Sequence, residues 1–335
     1  MKRLRRARSV NQANKLAIHF ESSFTPNEIM AVFDRAFLTR LPRFPRESIR
    51  FLFRSLGWFL RRLHPTRSKN SVEGWVASYK WLLLFRNQFD RLNSADNVYF
   101  ERHELATNVT LFRSSSNNDR LLLAFPPKSG RFGPSNPIFL LIAEEIGFDV
   151  LRIRPEREQQ GPWASVIGVR GGFEGFVGLI ESAIKTHAYR EVHTMGLSFG
   201  APMSLMAGMA IGADTINPIG LLNEPSQLEK AYGKCWSSAV NSIKDINLGA
   251  GGRINFVAGE KDARDVQVAE VMTHELPGSS IILVERAPHS AVMPLFRRKQ
   301  LSGFLSSLIS NFRAEKNGAL NGVGFRLHTS QNDSH

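Results

Sequence analysis

The residues with the clearest chemical potential are Gly196-Leu197-Ser198-Phe199-Gly200, a serine set between two glycines. They follow a strand-like run, Glu191–Met195, and precede a stretch of small and apolar residues from Gly200 to about Gly212 that reads as a helix. A serine held on a sharp strand-to-helix turn has strained backbone angles, and flanking glycines relieve the crowding that side chains would cause. Ala201 keeps the helix start small, and Pro202 suits its first turn, where a missing N–H does no harm. The pentapeptide alone also fits an ordinary surface turn. Its place between a strand and a helix is what makes Ser198 a candidate nucleophile, one too weakly acidic to attack a carbonyl without a base to take its proton.

The elements that must position this serine are legible from about Asn97 onward. Short β-like runs (Asn97–His103, Val109–Arg113, Leu121–Phe125) lead into alternating helices and strands. These are a helix near Pro137–Ile146, a strand at Val150–Arg154 and a helix at Phe173–His187, then Glu191–Met195 and the helix after the serine. Strands follow at Thr215–Leu222, Arg253–Ala258 and Ser280–Val284, with helices near Gln227–Ile243, Val266–His274 and Val292–Phe312. Repeated strand-helix units predict an α/β fold, a mostly parallel central sheet with helices on both faces. No repeat of fixed period is present, which excludes solenoids. Residues 314–335 are polar and rich in Gly and Asn and are expected to be a disordered tail.

On these residues the stretch from about Asn97 to Phe312 resembles the α/β-hydrolase family, whose triad runs nucleophile, acid, histidine, each in a loop at the carboxyl end of a strand. The resemblance makes Gly196 and Gly200 the flanks of the nucleophile elbow. It makes Asp262 the acid, because Gly259-Glu260-Lys261-Asp262 is similar to the family's Gly-x-x-Asp turn. Asp265 is close enough to compete, and Glu224, after the preceding strand, is a further candidate. The loop Glu285-Arg286-Ala287-Pro288-His289 resembles the one that carries the family's histidine, which makes His289 the base. Of the histidines after the elbow only His289 directly follows a strand; His274 falls in a helical stretch, and His328 and His335 in the tail. His193, on the nucleophile strand, reads as a packed sheet residue. Asp262 stands 64 residues after Ser198 and 27 before His289, room for one or two strand-helix units and then one.

The same resemblance implies an oxyanion hole formed by the backbone N–H of Phe199 and a second donor from the loop after an earlier strand. That loop reads Phe125-Pro126-Pro127-Lys128-Ser129-Gly130-Arg131 where many relatives carry His-Gly. Proline has no N–H to donate, so the second donor falls to Lys128 or Ser129, or is missing. Lys128 and Arg131 either favour an anionic substrate group or form a solvated basic loop.

Composition bounds the rest. The chain of 335 residues has a net charge of +13, of which residues 1–68 supply 15 Lys or Arg against 4 Asp or Glu. A basic, mainly helical extension over residues 1–95 is thus joined to a nearly neutral body over 96–313, with Pro26, Pro42, Pro45 and Pro65 as breaks in the extension. Within residues 46–63, Ile49, Leu52, Phe53, Leu56, Phe59, Leu60 and Leu63 share one helical face, and Arg46, Arg50, Arg54 and Arg61 gather beside it. The segment suits either an anionic membrane surface or a cap packed on the body. The stretch from Leu222 to Arg253 is too short for a large lid, so the N-terminal region is the candidate cover for the pocket.

The one cysteine, Cys235, excludes an intramolecular disulfide, and no apolar run reaches the roughly 18 residues needed to cross a bilayer. The basic start lacks the apolar segment of a secretory signal. A cytoplasmic protein, possible at a membrane periphery only through residues 46–63, is the expectation. No metal-ligand spacing, dinucleotide fingerprint or RNA-binding signature occurs, so neither cofactor nor nucleic-acid partner is expected. Three functions remain open: an ester or thioester hydrolase acting on a small acyl substrate, an acyltransferase on the same scaffold, and a non-enzymatic binding protein, for which the Pro126-Pro127 loop speaks. Oligomeric state is not readable.

Overall fold

The computed structural model describes residues 100–127, 130–154, 171–245, 253–276, 278–289, 291–309 and 325–328. The basic extension, the amphipathic run 46–63 and the candidates Lys128 and Ser129 lie outside them. The chain divides into two compact units, Met1–Phe100 with Ser135–Leu141, and Glu101–Pro134 with Ile142–His335. All the residues of the candidate site belong to the second.

Among the described residues nine strands form one sheet: β1 (Phe100–Ala106), β2 (Val109–Ser114), β3 (Arg120–Phe125), β4 (Asp149–Ile153), β5 (Glu191–Leu197), β6 (Thr215–Ile219), β7 (Arg253–Gly259), β8 (Ser280–Val284) and β9 (Phe325–His328). Their order is β1-β2-β4-β3-β5-β6-β7-β8-β9. From β4 across to β8 the neighbours run parallel, while β2 pairs antiparallel with β4, and β9 with β8. The helices are α1 (Asn136–Glu145), α2 (Gly172–His187), α3 (Ala201–Ile211), α4 (Pro225–Tyr232), α5 (Lys234–Asp245), α6 (Ala263–Glu275), α7 (Val292–Arg297) and α8 (Leu301–Ile309).

Central strands read as continuous apolar runs because both faces are covered. On one face Leu121, Leu123, Ile216, Phe256 and Ile281 share a core with Phe176 of α2, Met206 of α3, Leu228 of α4, Trp236 of α5 and Val268 of α6. Leu122, Ala124, Met195, Val257 and Ile282 alternate with them along the strands and are buried as well. The helix after β5, α3, is buried from Ala201 to Met209, which explains its lack of a polar face.

Three expectations are corrected. Residues 325–328 of the expected disordered tail form β9, whose backbone pairs with Ile281–Val284; four residues are too few for alternation to stand out. The single helix expected near Gln227–Ile243 is two, parted at Gly233, whose φ of 49° leaves the helical region. The last helix is likewise broken between Arg297 and Leu301, where Lys299 takes a φ of 60° and Gln300 N–H returns to Leu295 O.

Candidate active site

Because β3, β5, β6, β7 and β8 are parallel, their carboxyl ends, at Phe125, Leu197, Ile219, Gly259 and Val284, lie along one edge of the sheet. Ligand-binding crevices of open α/β sheets form there. At the end of β5 the chain leaves an extended Leu197 (φ −108°, ψ 128°) and enters a 3-10 turn, Ser198–Gly200, that runs straight into α3. Ser198 has a φ of 50°, a left-handed conformation costing about 1–2 kcal/mol for a residue with a side chain.

The flanking glycines are steric requirements. A β-carbon on Gly196 would lie 2.2 Å from Gly200 O and 2.4 Å from Ser204 Oγ, and one on Gly200 would lie 2.1 Å from Phe125 O. The exit of β3 thus presses directly on the elbow. Phe199 is the second residue of a helical start, whose first N–H groups have no acceptor within the helix. Its side chain is the one large apolar group strongly exposed among the described residues, at 43%.

The side chains that line up with Ser198 come from the segments after β7 and β8. His289 Nε2 stands 2.8 Å from Ser198 Oγ, and its Nδ1 stands 2.9 and 3.0 Å from the two carboxylate oxygens of Asp265. With its proton on Nδ1, the imidazole donates to Asp265 and accepts from the Ser198 hydroxyl. Asp265 has no exposed side-chain surface, whereas about a third of the His289 side chain is exposed. Burial pushes the Asp265 carboxyl above its ordinary pKa of 3.8; the hydrogen bond and charge of His289 oppose this, and the charge of Asp262 adds to it.

The geometry sets Asp265, and not the expected Asp262, against His289. Asp262 is the N-cap of α6: its Oδ1 accepts the Asp265 backbone N–H at 3.2 Å, and it is Asp265, three residues into the helix, that meets His289. The Asp262 carboxylate is turned to the first helical N–H groups, and the contacts of His289 Nδ1 go to Asp265 instead. Glu224 has the corresponding duty on α4, where it forms a capping box with Gln227. His193 is a buried sheet residue whose Nδ1 lies 2.9 Å from Thr215 Oγ1, and burial lowers its pKa.

The loops that follow β7 and β8 are fastened to each other. Glu260 N–H donates to Val284 O at 3.1 Å, Lys261 N–H to Ala287 O at 2.9 Å, and Arg286 N–H to the Glu260 carboxylate at 2.9 Å. A β-carbon on Gly259 would lie 2.2 Å from Pro288 O and 2.6 Å from Ala287 O, so glycine is what lets the two loops approach. Among the described residues, the one group of three ionisable side chains close enough to share a metal ion is Asp262, Asp265 and His289, with ligand atoms within 4.8 Å. Each already has the hydrogen-bonded role just given.

A mostly parallel sheet in the order β1-β2-β4-β3-β5-β6-β7-β8, with Ser198 on the turn from β5 into α3, is the α/β-hydrolase fold. No protein-family model matches the sequence, and no curated protein matches it. Solved structures that resemble the chain include a predicted CIB-like hydrolase from Thermoplasma acidophilum, 18% identical over 62% of this chain and 98% of its own, with a TM-score of 0.39. Est1E from Butyrivibrio proteoclasticus is 11% identical over 64% and 99%, with a TM-score of 0.42. An esterase from Pyrococcus furiosus is 13% identical over 64% and 91%, also with a TM-score of 0.42. The functional reading rests on the site itself. Among the described residues no helix is long and apolar enough to cross a membrane.

Proposed function

We propose that this chain is a serine hydrolase that cleaves a carboxylic ester or thioester through an acyl-enzyme. The observation that carries the reading is the unbroken chain from the Ser198 hydroxyl through His289 to the buried Asp265, with spacings of 2.8, 2.9 and 3.0 Å.

In the proposed reaction His289 Nε2 takes the hydroxyl proton as Ser198 Oγ attacks the acyl carbon. The Phe199 N–H stands at the helix start to meet the negative charge that develops on the carbonyl oxygen. As the tetrahedral intermediate collapses, the imidazolium gives its proton to the departing alcohol or thiol, leaving the acyl group on Ser198. His289 then deprotonates a water that attacks the acyl carbon; as that second intermediate collapses, the bond to Ser198 Oγ breaks, the imidazolium returns its proton to Oγ, and the acid product leaves. Throughout, Asp265 keeps the proton on Nδ1 and stabilises the imidazolium.

A fluorophosphonate probe, which labels activated serines, tests the reading. Labelling of wild type that disappears in Ser198→Ala and falls sharply in His289→Ala is expected; unlabelled, well-folded wild type would overturn it. A panel of acyl esters with and without alcohol or amine acceptors then separates hydrolysis from acyl transfer.

A further inference from the structure

We infer that Gly220 is a positioning residue for His289: the imidazole can reach both Ser198 and Asp265 because position 220 has no side chain. The inference rests on the triad reading above. Gly220 directly follows β6, and its N–H donates to Val257 O at 2.8 Å, so β7 fixes where its backbone lies. With a φ of 62°, a β-carbon there would stand 3.0 Å from His289 Cε1, 3.1 Å from Nδ1 and 3.1 Å from its carbonyl oxygen.

Three contacts to one residue, two on the ring and one on its backbone, leave His289 no easy way to yield. The ring is held by the bonds to Ser198 and Asp265. The backbone is held by the Ala291 N–H, which donates to His289 O, and by the Lys261 link to Ala287. A methyl group at 220 therefore displaces the imidazole by a few tenths of an ångström from groups that require hydrogen-bond geometry.

Gly278 supplies the control. Its φ is 82°, so alanine there meets the same left-handed strain, but a β-carbon would have nothing within 4 Å. Asparagine at 220 separates strain from contact in the other direction, because it tolerates left-handed backbone yet keeps a β-carbon. Gly220→Ala, Gly220→Asn and Gly278→Ala are compared in the full chain by the rate of fluorophosphonate labelling and by the downfield proton resonance of the His289 Nδ1–H.

Expected is a loss of labelling rate of roughly 10- to 100-fold in both position-220 variants, with a displaced imidazole resonance, and neither change in Gly278→Ala. A resonance that Gly220→Asn leaves in place overturns the inference, as does an equal loss of labelling in Gly278→Ala. The resonance reports hydrogen bonding rather than turnover. A wild type that shows it but never labels therefore sinks the hydrolase reading alone, and the shift in the 220 variants still decides the positioning role.

Discussion

The sharpest test of the site separates two aspartates three residues apart. In Asp265→Asn the imidazole loses a carboxylate that meets Nδ1 at 2.9 and 3.0 Å in a fully buried position. The amide that replaces it can turn its NH2 toward Nδ1, which moves the ring proton to Nε2, where the Ser198 proton must go. Losing both the tautomer and the stabilised imidazolium is worth about 10³–10⁴ in rate, or about 4–5.5 kcal/mol in the barrier at about 1.4 kcal/mol per tenfold. Asp262→Asn keeps the cap of α6, a duty that Asn performs about as well as Asp, and otherwise removes only the charge that helps raise the Asp265 pKa, so its rate stays within about threefold and its stability within a few tenths of a kcal/mol. Second-order rates of fluorophosphonate labelling, with thermal unfolding of each variant alongside, give both quantities. Equal losses in the two variants, or a larger loss in Asp262→Asn, would refute the assignment of Asp265.

The raised pKa of Asp265 has a sign that can be checked. The folded chain still holds a proton that the unfolded chain has released, so this carboxyl makes stability fall as pH rises from 3.8 through the raised value. The stability of Asp265→Asn relative to wild type should therefore improve over that acidic window, as measured by denaturant unfolding at several pH values; a constant difference would contradict it. Gly259→Ala sets a β-carbon against the backbone of Ala287 and Pro288, so it should cost about 1–3 kcal/mol of stability and cut labelling more than 100-fold (about 2.7 kcal/mol in the barrier); retained labelling would show that the fastened loops are not needed. Tyr189→Phe removes the 2.7 Å hydrogen bond to the buried Asp149 at the opposite, amino end of β4. It should lower the denaturation midpoint by the equivalent of about 1–3 kcal/mol and leave the labelling rate of the folded fraction unchanged.

Much of the fold is written in residue types and their spacing. The elbow was legible because its steric demands fall on residue types: Gly196 and Gly200 cannot carry a β-carbon, and Ala201 is small because it is buried. His289 stood out because it follows β8 directly. The carboxylate that meets His289 stands three residues beyond the expected Asp262, since Gly-x-x-Asp describes a turn that both Asp262 and Asp265 inhabit. A capping signal was nevertheless present: an aspartate just before a helix is first of all a cap, and its claim to the imidazole is the weaker for it. The two helix breaks turn on single left-handed residues, Gly233 and Lys299, which hydrophobic spacing does not register. β9 owes its conformation to an edge of β8, a partner far away in the chain.

The bond between Ser198 and His289 joins residues 91 positions apart, and the one between His289 and Asp265 spans 24. Local structure cannot make either bond: β5, β7 and β8 must already lie side by side, with β6 between the first two. Closing such distant contacts is expected late in folding, because their chain entropy is recovered only once most of the sheet exists. On the proposed function, reactivity at Ser198 is thus a census of finished molecules. In a refolding experiment, probe labelling should lag behind the return of helical circular dichroism and count only chains whose sheet has closed up in its native order.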